Sequence, residues 1–326
     1  MLWKVIGTKA AIHEAMKEYI SIADEDIDLI FANFDIGEKV NYRLLHGGSE
    51  NTNILITTTR NKYVLTICEQ KTKEQTFQLV NLLSHLKNHG FKTSEIIAPN
   101  NGEPVLKWNQ KPVFIKSFLD GQILDEFSFE VLQKIGMEMG KLHEIPCPDY
   151  LPRQLSFGRK EFQSVSKYAS GSNFEKWLIQ KTKLISQHIS EDLPRALIHT
   201  DIFDNNVVVD HDSNGVTLFD FEEASNYFRI FDIGMAIIGT CSNQGEVSRE
   251  KVHALLSGYV QSIILTDNEL KCIKWGTVYA GTAMTFWRHQ NFNYVNPTPK
   301  MFDHYQALQR LTDYAEKQSE EFFMLN

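Results

Sequence analysis

Residues 196–210 read ALIHTDIFDNNVVVD, and GVTLFDFEE (215–223) follows shortly after. His199, Asp201, Asp204, Asn205 and Asn206 stand between two runs with the look of buried strands. Asp220 comes 14 positions after Asn206 and again ends a short apolar run. Carboxylates and amide carbonyls are hard oxygen ligands for a cation such as Mg²⁺, and a carboxylate also accepts protons. A plain β-turn would account for Asp and Asn, which favour turns for conformational reasons. It would not account for the spacing or for the second acid at Asp220.

The chain that must position these groups has 326 residues, enough for a sizeable core divided into two lobes. A hydrophobic fraction of 42% with 23% charged residues describes an ordinary folded protein. The formal charge of -8 gives no general attraction for nucleic acid or an anionic membrane, which would need clustered Lys and Arg. The opening MLWKVIGTKAAIHEAM has no apolar signal core, and no run of about 18 apolar residues could span a bilayer, so a cytoplasmic location is expected. Cys68, Cys147, Cys241 and Cys272 are scattered without a CxxC pair and read as reduced thiols.

Periodicity gives an α+β organisation that changes part-way along. Helical spacing over 9–34 precedes strand-like runs at 40–45, 53–58 and 63–68, and residues 72–89 return to helical period before Gly90. PVLKW and KPVFIKSF then flank a turn at Asn109 and Gln110, completing a small antiparallel sheet. From Gly121 onward helical period dominates, at 128–144, 159–189, 248–264, 267–289 and 301–322, and the opening stretch is expected to pair with 215–223 as a hairpin. Two lobes, 1–118 and 119–326 with a hinge near 118–122, make the cleft between them the expected site.

His199-Thr-Asp201-Ile-Phe-Asp-Asn-Asn206 fits the H-x-D-x-x-x-x-N loop of protein-kinase-like phosphotransferases, and Asp220 stands where their metal-binding Asp follows a short strand. With IGMEMGKLHEI (135–145) and Phe231-Asp232-Ile233, the sequence resembles the aminoglycoside phosphotransferase and choline kinase superfamily. The resemblance implies a two-lobed protein-kinase-like fold with a small antiparallel-sheet N-lobe and a larger, mainly helical C-lobe. It further implies ATP and Mg²⁺ as cofactors and a small-molecule alcohol as acceptor. Asp201 would accept the hydroxyl proton, His199 would brace the loop, Asn206 and Asp220 would hold the metal, and Asp232 would anchor the loop. In the small lobe HGGSENTN (46–53) takes the place of the phosphate-covering hairpin, with Gly47, Gly48, Ser49 and Asn51 toward the nucleotide. Backbone groups of Lys116, Ser117 and Phe118 would hydrogen-bond adenine. The sequence departs from the kinase pattern at Thr66, where many relatives carry a phosphate-pairing Lys; Lys62, Lys71 or Lys73 could reach the nucleotide instead, or loop amides and Mg²⁺ suffice.

Within the superfamily, GSENTNILITTTRNKYVLTICEQ, Phe203 and GTAMTFWRHQNF (281–292) resemble bacterial homoserine kinases, whereas DFEEASNYFRIFDIG (220–234) resembles choline and ethanolamine kinases. The two acceptors make opposite demands. Homoserine needs a cation for its carboxylate, for which Arg288 is the candidate. A quaternary ammonium needs aromatic and acidic neighbours, for which Glu223, Tyr227, Tyr279 and Trp287 are available. The expected activity is ATP-dependent phosphorylation of L-homoserine. The alternatives are a choline, ethanolamine or aminoglycoside-type kinase, or a non-catalytic nucleotide-binding protein on the same scaffold.

Overall fold

The computed structural model describes residues 22–45, 51–212, 215–243 and 245–325, and the chain divides into two compact units at Asp120–Gly121. The expected helical stretch before residue 22 lies outside the described residues.

In the first unit, α1 (Asp24–Phe31) precedes β1 (Lys39–Leu45), β2 (Asn51–Thr58) and β3 (Lys62–Cys68). α2 (Lys73–Asn88), β4 (Leu106–Trp108) and β5 (Lys111–Ser117) follow. The strands form one antiparallel sheet in the order β1-β2-β3-β5-β4. Alternate residues on one face, Ile54 and Ile56, Leu65 and Ile67, Val113 and Ile115, join Ile27, Ile30 and Phe31 of α1 in a single core. Thr72 and Gln75 close a capping box that starts α2. The β4–β5 hairpin turns through Asn109 and Gln110, both at positive φ (44° and 67°), the arrangement whose twist matches paired strands.

The second unit begins at Gly121, whose φ of 149° and missing side chain serve a close approach. A Cβ there would stand 2.6 Å from the Val209 carbonyl. Its neighbour Gln122 exchanges two backbone hydrogen bonds of 2.8 Å with Val209, just beyond the polar loop. α3 (Phe129–Glu144) is followed by α4 (Asn173–His188), β6 (Arg195–Ile198), β7 (Val207–Val209), β8 (Val216–Leu218) and β9 (Ser225–Phe228). α5 (Arg229–Thr240), α6 (Arg249–Ser262), α7 (Asp267–Gln290) and α8 (His304–Lys317) complete it. α3 and α6 touch backbone to backbone at Gly136 and Gly258. A Cβ on Gly258 would come within 1.8 Å of the Gln133 carbonyl.

Three sequence expectations are corrected. The helical stretch 159–189 is broken: a 3₁₀ segment, Phe162–Lys167, ends before Gly171 (φ 74°), and α4 starts only after Ser172, whose hydroxyl caps the Glu175 amide. The hairpin is split. The first apolar run, β6, pairs with β9, while the second, β7, pairs with β8. The stretch 301–322 is α-helical only from His304 to Lys317, with 3₁₀ turns at Pro299–Met301 and Glu320–Phe323. α5 went unread because it is buried on nearly every side and so carries no polar stripe to give a period.

All four cysteines are free thiols. No helix among the described residues is long and apolar enough to cross a membrane.

Candidate functional site

The polar loop leaves β6 at Ile198 and is fastened from beneath by Asp232, fully buried in the first turn of α5. One carboxylate oxygen accepts from the His199 amide (2.9 Å) and stands 3.0 Å from His143 Nε2, and the other accepts from the Thr200 amide (2.6 Å). His143 Nδ1 lies 2.9 Å from the Tyr259 hydroxyl on α6. Burial alone would push the Asp232 carboxyl up. Its hydrogen bond and charge interaction with His143, helped by His199 and its backbone amide, hold it below the usual carboxylate value instead. The magnitudes agree with that outcome: hydrogen bonds to a charged group contribute about 1.5–3 kcal/mol each, so three of them offset a desolvation cost of several kcal/mol.

This anchor holds Thr200 in a left-handed conformation (φ 74°), strained for a β-branched residue, and the Thr200 hydroxyl ties down further by donating to the Glu223 carbonyl at 3.0 Å. The strained peptide sets the direction of the next side chain, Asp201. His199 is fully buried with both ring nitrogens engaged. Nε2–H donates to the Phe219 carbonyl (2.9 Å), and Nδ1 accepts from the Asp201 amide (3.3 Å). One imidazole therefore links the turn bearing Asp201 to the turn bearing Asp220, which itself sits at φ 72°.

Asn206 completes the loop. Its Nδ2 donates to both the carbonyl and Oδ2 of Asp201, at 2.8 Å each. The amide oxygen accepts from Asn205 Nδ2 at 3.2 Å and, with two lone pairs, has room for one further partner. Burial raises the Asp201 carboxyl to about 6; the Asp220 charge adds to the rise, and His199, Arg288 and Asn206 oppose it. Arg288, two residues before the end of α7, places its guanidinium over the Phe203 ring at 5.6 Å. Burial draws it down to about 10 against the raising charges of Asp201 and Asp204, so it stays protonated at neutral pH. A carboxylate, an amide oxygen and a second carboxylate thus share one loop system, and the half-buried Arg288 guanidinium of α7 reaches over Phe203 of that loop. It can accept a proton, bind a hard cation through Asn206 and Asp220, and receive an anion at Arg288. Among the described residues no three His, Cys, Asp or Glu side chains converge as a metal cage. Mg²⁺ needs no such cage, since one or two protein oxygens with phosphate and water complete its shell.

Residues 41–261 match the phosphotransferase enzyme family APH. The chain belongs to this family. Among curated relatives, this phosphotransferase is 26% identical over 298 residues to a homoserine kinase of Burkholderia mallei, with 86% of this chain and 89% of the relative covered. It is 24% identical over 294 residues to a homoserine kinase of Rhizobium meliloti, covering 87% and 89%. Among solved structures, a microcompartment-associated aminopropanol kinase superposes with a TM-score of 0.71 at 17% identity, covering 93% of this chain and 99% of that one. A spectinomycin phosphotransferase, solved with ADP and spectinomycin, gives 0.68 at 15% identity, covering 92% and 100%. The fold is protein-kinase-like, with a small antiparallel-sheet lobe, and the phosphotransferase is a small-molecule kinase.

The remaining sequence expectations divide in the phosphotransferase. Gly47, Gly48 and Ser49 lie outside the described residues, and Asn51 is the buried first residue of β2, paired with Cys68. Lys116 pairs with Val64. The Ser117 amide donates to the Glu95 carbonyl (2.8 Å) and the Phe118 amide to the Lys62 carbonyl (3.2 Å), so these two N–H groups are spent within the sheet unit rather than offered to adenine. Thr66 is fully buried and donates to Asn53 Oδ1 at 2.8 Å. Lys62 leans over the Phe118 ring at 5.7 Å and Lys73 over the Phe77 ring at 5.4 Å.

The aromatic-cage expectation is corrected at Tyr227, which is 3% exposed and joined hydroxyl to hydroxyl with Tyr279 at 3.0 Å in the core. The Glu223 carboxylate accepts from Ser156 and its carbonyl from Thr200, which makes it part of the loop's fastening. Trp287 is half-buried, edge-on to Phe292. His143 was missed as a site residue. Its signal was the LHEI run in α3, quoted for resemblance without a role for the imidazole.

Proposed function

We propose that this small-molecule kinase transfers the γ-phosphoryl group of ATP to the side-chain hydroxyl of L-homoserine. In this reading Asp201 accepts the hydroxyl proton as the acceptor oxygen takes the phosphoryl group and ADP leaves. Asn206 orients Asp201 through the two hydrogen bonds from its Nδ2 and, with Asp220, offers oxygen atoms to Mg²⁺. Mg²⁺, when bound, neutralises charge on the transferring group. His199 and Asp232 hold the loop and touch no reacting atom.

The observation that carries the substrate assignment is Arg288, a half-buried cation over Phe203 whose charge acts on Asp201. Phe203 is two residues from Asp201, so in this reading an acceptor whose hydroxyl reaches Asp201 extends toward that cation. Choline and polycationic aminoglycosides would meet like charge there, while homoserine carries a carboxylate a few bonds from its hydroxyl. The likeness to homoserine kinases over 86% of the chain supports the same reading. The binding-only alternative gives no reason for a complete set of Asp201, Asn206 and Asp220.

Replacing Arg288 with Ala is expected to raise KM for homoserine at least about tenfold, since a charge-assisted hydrogen bond is worth about 1.5–3 kcal/mol, while KM for ATP stays within about threefold. Steady-state kinetics with each substrate varied in turn gives the answer. Unaltered homoserine kinetics would remove the assignment.

A further inference from the structure

Tyr259 of α6, His143 of α3, Asp232 of α5 and the loop residues His199 and Thr200 are all buried, and none of them meets the reacting atoms. Gly136, Gly140 and His143 follow one another at spacings of four and three, which puts them on one face of α3. The two glycines let α6 come close at that face. A Cβ on Gly136 would stand 1.9 Å from the Leu255 carbonyl and 2.8 Å from the Tyr259 amide, and one on Gly140 would stand 3.0 Å from the Tyr259 carbonyl. The Tyr259 backbone is thus pinned against the turn that precedes His143. Its ring meets the imidazole edge-on, with centroids 5.5 Å apart.

That packing sets the Tyr259 hydroxyl 2.9 Å from His143 Nδ1, while the opposite ring nitrogen, Nε2, lies 3.0 Å from Asp232 Oδ2. A carboxylate only accepts, so Nε2 carries the proton, and in a neutral imidazole Nδ1 is then a bare acceptor. Burial pushes the Tyr259 hydroxyl well above its ordinary value, so it keeps its proton and donates it to Nδ1. Donation runs one way from Tyr259 through His143 to Asp232, and in a dry interior such chains strengthen each member.

We infer that Tyr259 is a positioning residue for Asp201: its hydroxyl fixes the angle of the His143 imidazole, and through it the Asp232 carboxylate that holds the Asp201 turn. Without that hydroxyl, Nδ1 would be an unpartnered acceptor in the interior, and a ring rotation that found it another partner would swing Nε2–H off Asp232. Asp232 would then hold the His199 and Thr200 amides without its own brace. Thr200 sits at φ 74°, and a strained residue persists only where its surroundings hold it. A looser anchor therefore spreads the directions open to Asp201, the next residue, and slows proton acceptance without changing the base. The inference rests on Asp201 as the base and not on the choice of acceptor.

The test separates a hydrogen-bonded role from a packing role. Gln places its amide where Nε2 of His lies and has no atom at the Nδ1 position, so His143→Gln can still donate to Asp232 without engaging Tyr259. In the full-length enzyme, with the acceptor that wild type uses best, Tyr259→Phe is expected to lower kcat at least about fivefold while KM for ATP moves less than about threefold. Added to His143→Gln, the same substitution should change kcat less than about twofold, because the contact it removes is already gone. Thermal melting identifies any variant that fails to fold. NMR of isotope-labelled histidines in wild type at neutral pH should find the His143 proton on Nε2 and none on Nδ1, a readout that needs neither turnover nor substitution. An equal loss of kcat in both backgrounds, no loss in either, or a proton on Nδ1 would overturn the role of Tyr259 alone. Near-full turnover by Asp201→Asn would overturn it together with the base.

Discussion

Asp201→Asn is expected to lower kcat by roughly 10²–10⁴, the scale of losing a general base, while folding and ATP affinity stay near wild type. That range corresponds to about 3–5.5 kcal/mol of transition-state stabilisation. The substitution isolates proton acceptance well. An Asn side chain has the same shape, and its oxygen can still accept from Asn206 Nδ2, which reaches Asp201 Oδ2 at 2.8 Å in the native loop. The loop's fastening does not pass through the Asp201 side chain either, because Asp232, Thr200 and His199 supply it through other atoms. Single-turnover and steady-state rates measured together would separate a slowed phosphoryl transfer from slowed release. Near-full turnover by this variant would show that the proton goes elsewhere.

Asp220→Ala should abolish most of the strengthening that Mg²⁺ gives to ATP binding, a drop of at least about tenfold, or about 1.4 kcal/mol, in calorimetry with and without the ion. The readout does not depend on activity. Asp220 is the better probe of the pair because Asn206 also holds Asp201, so altering it would mix metal binding with base orientation. Removing Asp220 also removes a negative charge that raises the Asp201 carboxyl. Any residual activity of the variant should therefore come with a more acidic base, not a less acidic one. An unchanged Mg²⁺ dependence would place the metal on other residues.

What the sequence disclosed, and what it hid, follows from the range of the interactions involved. The strands of the small sheet were legible because period-two alternation at Ile54 and Ile56 or Leu65 and Ile67 is a local signal of one buried face. That Asp201 and Asn206 would share one loop, with Asp220 after a short strand, was legible because the resemblance lies in residue types and order along a single region. The pairing of β6 with β9 was not, since a short apolar run does not say which of two later runs it will meet, and the nearer one was the natural guess. The break before α4 could have been read: Gly171 and the Ser172–Glu175 pair form a start signal that the long apolar period outweighed. His143 acts through Asp232, 89 residues away, and no local pattern reports such a contact. Tyr227 shows the opposite error, because an aromatic residue near a site motif was given a ligand when its hydroxyl already had Tyr279.

The central claim is that the catalytic loop serves an acceptor carrying both a hydroxyl and a carboxylate, and it is tested most directly by comparing wild-type kcat/KM for L-homoserine, 3-aminopropan-1-ol and choline at saturating Mg²⁺ and ATP. 3-Aminopropan-1-ol is homoserine without its carboxylate, so the ratio of the first two reads the contribution of that group alone. With charge-assisted hydrogen bonds of about 1.5–3 kcal/mol each, homoserine should be preferred over 3-aminopropan-1-ol by at least about a hundredfold, with choline poorer still. Equal use of homoserine and 3-aminopropan-1-ol, or efficient phosphorylation of choline, would contradict it.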